Sequence, residues 1–290
     1  MKASTRLKLG IALRSIQHQT SATGMSELAK KARESILTGH GDPNTTSGRN
    51  AQAALVAAES LLREGPSANL GHTRRESRDA AAKFQRSILR EAARDITLPG
   101  GKDVADEGEH RVRHDEETGL AHKATNNERY GYILDQDEWA AHRKLNLRPA
   151  LPSEYFWRIG LQNILFEDAI KVTGIAKVSF SHEFSIHTSQ PWIDTAEPPP
   201  AISMDDIHQF MEGKGYVQLP GGMILSGVPR ILTWYHCRDE VLVYDTKPGN
   251  FIKGEDDALY PVDLNIAIFP RELMRDTATR NNAAWPELDQ

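Results

Sequence analysis

Four polar residues have the types and the spacing of a phosphoryl-transfer site. Asp245, Lys247 and Asn250 fall within Tyr244-Asp245-Thr246-Lys247-Pro248-Gly249-Asn250, and Asp263 follows Asn250 by thirteen residues. Moving a phosphoryl group from Mg-ATP to a hydroxyl needs a carboxylate at the attacking oxygen and a cation near the transferring phosphate. It also needs two oxygen ligands for the metal. Asp245, Lys247, Asn250 and Asp263 supply those parts in that order. The same hexapeptide is also good turn chemistry, because Asp, Pro, Gly and Asn each favour turns for separate reasons. What lifts it above a plain hairpin loop is Asp263 and the strands on either side.

Those flanking elements are short. Val241-Leu242-Val243 reads as a buried strand before the loop, and Phe251-Ile252 with Leu259-Tyr260 as a hairpin beyond it. On these residues the sequence resembles the protein-kinase-like family. The catalytic loop of that family is spelled D-x-K-P-x-N, and its metal-binding Asp lies about this far downstream, at the end of a short hairpin. The resemblance implies that Asp245 and Lys247 are catalytic and that Asn250 and Asp263 hold Mg²⁺.

Further upstream, residues 109–125 read as a hairpin with its turn at 115–119 and a return strand ending near Lys123. Ala121-His122-Lys123-Ala124 is a reduced form of the kinase V-A-I-K strand, so the resemblance assigns Lys123 to the α- and β-phosphates of ATP. Gly100, Gly101 and Gly108 precede this hairpin without spelling G-x-G-x-x-G-x-V; by the resemblance, Gly108 lies nearest the phosphates. His110 and His114 are four apart on a strand, about 13 Å at roughly 3.3 Å per residue, too far for one metal ion. They are expected at the surface.

Residues 151–166 have helical periodicity, with Ser153 as the expected N-cap and Tyr155, Ile159, Gln162 and Phe166 recurring along one face. Here the family places the helix whose Glu pairs with the phosphate lysine, which makes Glu154 the expected partner of Lys123 and Glu167 the fallback. A strand pair within residues 178–193 ends at Thr188-Ser189-Gln190-Pro191, the position of the adenine-binding hinge, so Gln190 is assigned to the cofactor. A stiff spacer follows at Glu197-Pro198-Pro199-Pro200. Ser203 then caps an amphipathic helix with Ile207, Phe210 and Met211 facing inward.

From Glu109 to about Pro270 the layout looks most like the small serine/threonine/tyrosine-kinase-like domains of phage and conjugative-element polyvalent proteins. That implies an α+β, minimal two-lobed kinase-like domain over residues 101–270, with ATP and Mg²⁺ as cofactors. Three departures stand out. Val243-Tyr244 replaces the His-Arg of H-R-D, Leu264-Asn265 replaces Phe-Gly after the metal-binding Asp, and only 27 residues follow Asp263. A full activation segment and a large helical lobe are therefore not expected within this sequence. The phosphate acceptor, expected to be a protein rather than a small molecule, must be held by an abbreviated lobe, by the N-terminal helices or by a partner.

Charge divides the chain. Residues 1–100 hold 16 Lys and Arg against 9 Asp and Glu, a net +7, whereas the remaining residues hold 19 against 31, a net −12. The first hundred residues read as a basic, helical, partly disordered arm, with an Ala-rich helix near 51–63 and a second near 77–96. Residues 271–290 read as a C-terminal tail. The mean hydropathy is −0.52 and no stretch approaches the roughly eighteen apolar residues of a transmembrane helix, so no membrane partner is expected. The basic N-terminus has too short an apolar run for a secretory signal. A single cysteine, Cys237, excludes an internal disulfide and fits a reducing, cytoplasmic setting. Two other readings stay open. One is a pseudokinase acting as a nucleotide-binding or interaction module, and the other a mobile-element accessory protein whose basic arm contacts nucleic acid.

Overall fold

The computed structural model describes residues 24–38, 44–62, 75–99, 101–126, 129–135, 146–178, 183–219 and 233–280. Parts of the expected N-terminal arm, Gly100 and the last ten residues of the expected tail lie outside them. Three helices come first, α1 (Gly24–Leu37), α2 (Thr46–Leu62) and α3 (Arg75–Ala92). They are followed by strands β1 (Lys102–Glu107), β2 (His110–Asp115), β3 (Leu120–Thr125), β4 (Tyr132–Leu134) and β5 (Leu147–Pro149). Helix α4 (Pro152–Leu165) and strands β6 (Lys171–Lys177) and β7 (Phe184–Pro191) complete the first half. The fold class is α+β with antiparallel sheets.

Five strands form one antiparallel sheet in the order β1-β2-β3-β7-β6. The β2–β3 hairpin forms where sequence placed it. Asp115 closes its turn by accepting from the backbone amides of Glu117 at 3.1 Å and Thr118 at 3.4 Å, while Gly119 N donates to Asp115 O at 2.8 Å. Lys123 pairs with Val112 on one side and Thr188 on the other, and His110 pairs with Thr125. Directly opposed residues of an antiparallel pair share a face. His110, Val112, Lys123, Thr125 and Thr188 therefore share the sheet face toward α4, and Arg111, His122 and His187 take the other.

Helix α4 is buried along most of its length because it is packed on several sides. Its first residue is Pro152, not Ser153, and the flanking Leu151 provides no side-chain cap. The capping comes from another helix: Gln85 of α3 donates to Ser153 Oγ at 3.0 Å and accepts from Ser153 N at 3.0 Å. Helix α1 crosses so closely that a Cβ on Gly160 would lie 2.4 Å from Ala32 O. The first hundred residues are accordingly not a loose arm where they are described. Ala32, Ile36, Ala54, Leu61, Leu62 and Leu89 belong to the same buried cluster as Tyr155, Phe156, Ile175 and Ile186. Full burial of each Leu or Ile contributes about 1.5–3 kcal/mol.

The second half continues with α5 (Met204–Gly213), capped by Ser203 as expected, and β8 (Val217–Gln218), β9 (Trp234–His236) and β10 (Val241–Tyr244). After a single 3-10 turn (Pro248–Asn250) come β11 (Phe251–Lys253), β12 (Leu259–Pro261), β13 (Asn265–Ile268) and α6 (Arg271–Arg280). Strands β13-β10-β9-β8 form a four-stranded antiparallel sheet, and β11 pairs with β12. The opposition of Tyr244 and Asn265 across β10 and β13 brings the residues before Asp245 beside those after Asp263. Helix α6, read as tail, buries Leu273, Met274 and Ala278 against Tyr235, Tyr244 and Phe269. No helix among the described residues is long and apolar enough to cross a membrane.

Candidate active site

The loop after β10 is built around Asp245. Its φ of +63° lies in the left-handed region, which Asp tolerates better than most residues because its short side chain can bond locally. Those local bonds are present. Lys247 Nζ donates to both carboxylate oxygens at 3.1 Å. Asn250 Nδ2 donates to Asp245 O at 2.7 Å and to Oδ2 at 2.9 Å. Thr246 points into the core, its Oγ1 accepting from Trp234 Nε1 at 3.1 Å. Anchoring Thr246 leaves Asp245 and Lys247 directed outward, and the Lys247 side chain is 59% exposed.

The hairpin returns the chain to this loop. Val262 N donates to Asn250 O at 3.0 Å, and Val262 O accepts from Lys123 Nζ at 2.7 Å. One hydrogen-bonded chain thus runs from Asp245 through Asn250 and Val262 to Lys123, with Asp263 next in sequence. Burial pushes the Lys123 ammonium down from its ordinary value, while Asp263 and Asp168 oppose that shift. Burial would raise the Asp263 carboxyl, but His110, Arg158 and Lys123 outweigh it and hold it well below the usual carboxylate range.

Glu154 departs from expectation. Its carboxylate takes Arg148 as a fork at 2.8 and 2.7 Å and accepts from Leu151 N at 2.7 Å. The reason is its place in the first turn of α4, where the side chain folds back over the helix start and meets Arg148 of β5. The expected Lys123–Glu154 pair does not form: Lys123 Nζ donates to Val262 O and feels the charges of Asp263 and Asp168. The fallback, Glu167, is exposed at a φ of +61° just beyond α4. Gly108 lies in the two-residue turn between β1 and β2 at a φ of +66°. Gln190 is buried with its Oε1 unpartnered among the described residues, and lines a cavity of about 400 Å³ with Asp168, Trp192 and Tyr260. Burial pushes the Asp168 carboxyl up to about 6, against a 2.6 Å hydrogen bond from Gln162 and the charges of Lys123 and Lys214.

A second group of residues gave little sign of itself in the sequence. Arg158 of α4 is buried and forks the carboxylate of Glu109, the other residue of the β1–β2 turn. Its Nη1 also donates to Asn265 Oδ1 at 2.9 Å, and Asp263 Oδ1 lies 4.0 Å from its Nη2. His110, expected at the surface, is buried because α4 covers its face of the sheet. Its Nε2 is 3.0 Å from Tyr155 Oη and its Nδ1 3.6 Å from Asp263 Oδ2. His114 is also not free surface, stacking on Trp192 at 3.8 Å between ring centres. The fork presses against Gly131, where a Cβ would lie 2.3 Å from Arg158 Nη1 and 2.5 Å from Glu109 Oε2. The usable signals were the one basic residue of the 151–166 helix, three residues after Tyr155, and a histidine sharing a sheet face with Lys123.

Two donor sets could take a cation. Glu109, His110 and Asp263 each offer a ligand atom, all within 4.8 Å of one another, but the guanidinium of Arg158 already occupies Glu109. Asn250 and Asp263 offer the oxygen donors that a hard ion such as Mg²⁺ takes, and the Val262 N to Asn250 O hydrogen bond brings their segments together. The Asn250 amide nitrogen is committed twice to Asp245, which fixes the amide and leaves Oδ1 without a hydrogen bond among the described residues. Comparison with protein-family models, with curated proteins and with solved structures found no match.

Proposed function

We propose that the chain catalyses Mg-ATP-dependent phosphoryl transfer to a hydroxyl, on a minimal kinase-like domain. The observation that carries this reading is the hydrogen-bonded chain Asp245–Asn250–Val262–Lys123, which ties groups spelled by D-x-K-P-x-N to the upstream strand lysine through the residue next to Asp263. The order of elements supports it as well: a strand bearing Lys123, a helix, a strand with Gln190 near its end, the loop, a hairpin and Asp263.

Asp245 orients the acceptor hydroxyl and takes its proton as the acceptor oxygen bonds to the γ-phosphorus. The bond between that phosphorus and the bridging oxygen breaks, and ADP leaves. Lys247, solvent-facing beside Asp245, neutralises charge on the phosphoryl in transit, and Lys123 holds the α- and β-phosphates. Asn250 and Asp263 would hold Mg²⁺, which when bound offsets charge on the phosphate oxygens. Positioning and preorganised charge supply nearly all of the catalysis in this chemistry.

The test is intact mass and ATP consumption of the purified chain beside Asp245→Ala and Asp263→Ala. Phosphate added or ATP consumed by the wild type, and reduced at least about 100-fold in both variants, is the expected result. Equal turnover in all three would refute it. A second reading, a nucleotide-binding pseudokinase, is favoured by one observation: the Glu109 carboxylate already sits on Arg158 beside Asp263. Under that reading Mg-ATP raises the melting temperature and no ATP is consumed.

A further inference from the structure

Arg158 touches the β1–β2 turn, β13 and Asp263 together from α4, through Glu109, Asn265 and the Asp263 carboxylate. A guanidinium presents its donors as a rigid planar fork, and that fork fits a phosphate as well as it fits a carboxylate. Here the fork is filled by Glu109, a residue of the turn itself. The turn backbone is held, with Gly108 O accepting from Arg129 and Glu109 O from Asn126 N, so it is the Glu109 side chain that can leave the fork, beside the open space at exposed Gly108. Lys123 faces Asp263 from the adjacent strand, so two cations of the site converge on one acidic residue. Glu109 is a second anion in this corner, and it is the one that fills the Arg158 fork.

We propose that Arg158 is a phosphate-binding residue of the nucleotide site, and that Glu109 occupies its fork in the nucleotide-free protein as a stand-in for a pair of phosphate oxygens. This rests on the phosphoryl-transfer reading. The incoming triphosphate and Glu109 compete for one fork, because a polyanion entering with Glu109 in place meets like charge. Exchange swings the Glu109 side chain off the fork and removes its 3.3 Å contact with His110 Nε2, which keeps Tyr155 Oη at 3.0 Å. A divalent cation is the poorer occupant of this corner, since it would have to displace the guanidinium first.

The experiment measures binding of inorganic tripolyphosphate and of Mg-ATP by calorimetry to the full chain. The proteins are the wild type, Glu109→Gln, Glu109→Asp, and Glu109→Gln combined with Arg158→Lys, each checked for folding by circular dichroism. Glu109→Gln keeps the shape and removes the competing charge, so it should bind both probes roughly tenfold more tightly or better. Glu109→Asp, which keeps the charge on a shorter stem, should show a smaller gain. Arg158→Lys should abolish the gain; if that double variant does not fold, the two Glu109 variants decide alone. Unchanged or weaker binding in Glu109→Gln overturns the proposal and makes the fork purely structural. If the wild type then still binds and consumes Mg-ATP, the phosphoryl-transfer reading stands without it. Absence of Mg-ATP binding in every protein overturns both.

Discussion

The Asp245–Asn250 loop and the Glu109–Arg158 fork flank the same carboxylate, Asp263, yet they are assembled in opposite ways. The loop closes on itself: its side-chain hydrogen bonds join residues two and five positions apart. The fork joins positions 49 apart, and its arginine reaches a further partner 107 positions away. A local cluster needs only its own backbone turn. A distributed one exists only when a helix, a strand turn and a second sheet are all docked in register. The same charge chemistry is therefore autonomous on one side of Asp263 and dependent on the whole fold on the other.

The largest test of that contrast is a pair of single methyl groups. Gly131→Ala places a side chain at a φ of +80° and inside contact distance of the fork, and should lower unfolding free energy by about 3 kcal/mol in urea denaturation. A loss below about 1 kcal/mol would mean that the fork yields easily. Gly249→Ala, in the loop and with nothing within 4 Å of its Cβ position, should stay within about 0.5 kcal/mol of wild type.

A smaller effect belongs to Asp168, on the Lys123 side of the site. Burial raises its carboxyl to about 6 from an ordinary 3.8, so between those values the folded state holds the proton more tightly than the unfolded chain. Its contribution is fully present below about pH 4 and is lost as pH rises through 6, a fall of about 2 kcal/mol after allowing for partial exposure. Asp168→Asn should flatten this part of the stability–pH profile; an unchanged profile would assign the slope to other groups.

Smaller still, Asn250→Ala removes two hydrogen bonds to Asp245 and should lower stability by about 1–2 kcal/mol. Combined with Gly131→Ala, its effect should add within about 0.5 kcal/mol if the two clusters are independent. A larger coupling would show that they act as one unit through Asp263.

What could be read in advance follows the same division. The turn at Asp115, the buried strand before Asp245, the hairpin beyond it and the Ser203 cap are each decided by residues a few positions apart, and periodicity and turn chemistry report such arrangements directly. The loop that gathers Asp245, Lys247 and Asn250 was legible for that reason. Glu154 was misjudged because helix position alone does not say which cation waits at the helix start; Arg148 is supplied by a strand that sequence left undefined. His110 was placed at the surface because strand spacing says where a side chain points and not what covers it. Arg158 and Glu109 could not be paired without the docking of α4 under the β1–β2 turn, a product of burial shared among α1, α2, β6 and β7. The packing of α1 to α3 was missed for a related reason. Small residues such as Ala32, Ala54 and Ala57 look weakly hydrophobic in a composition, yet they permit the close approach that seats Gly160 on α1.

The amide of Gln85 that completes the start of α4 also bears on how this protein can be inherited. Every polar group of the loop, together with Lys123 and Arg158, is encoded after residue 101, and that stretch resembles a portable cassette. It is not one. The backbone N–H of Ser153 and its hydroxyl are both satisfied from α3, so a gene fragment cut between the two halves leaves the arginine-bearing helix without its terminus. A break between the two halves would part Gln85 from the helix start that it completes, and with it from the helix that carries Arg158.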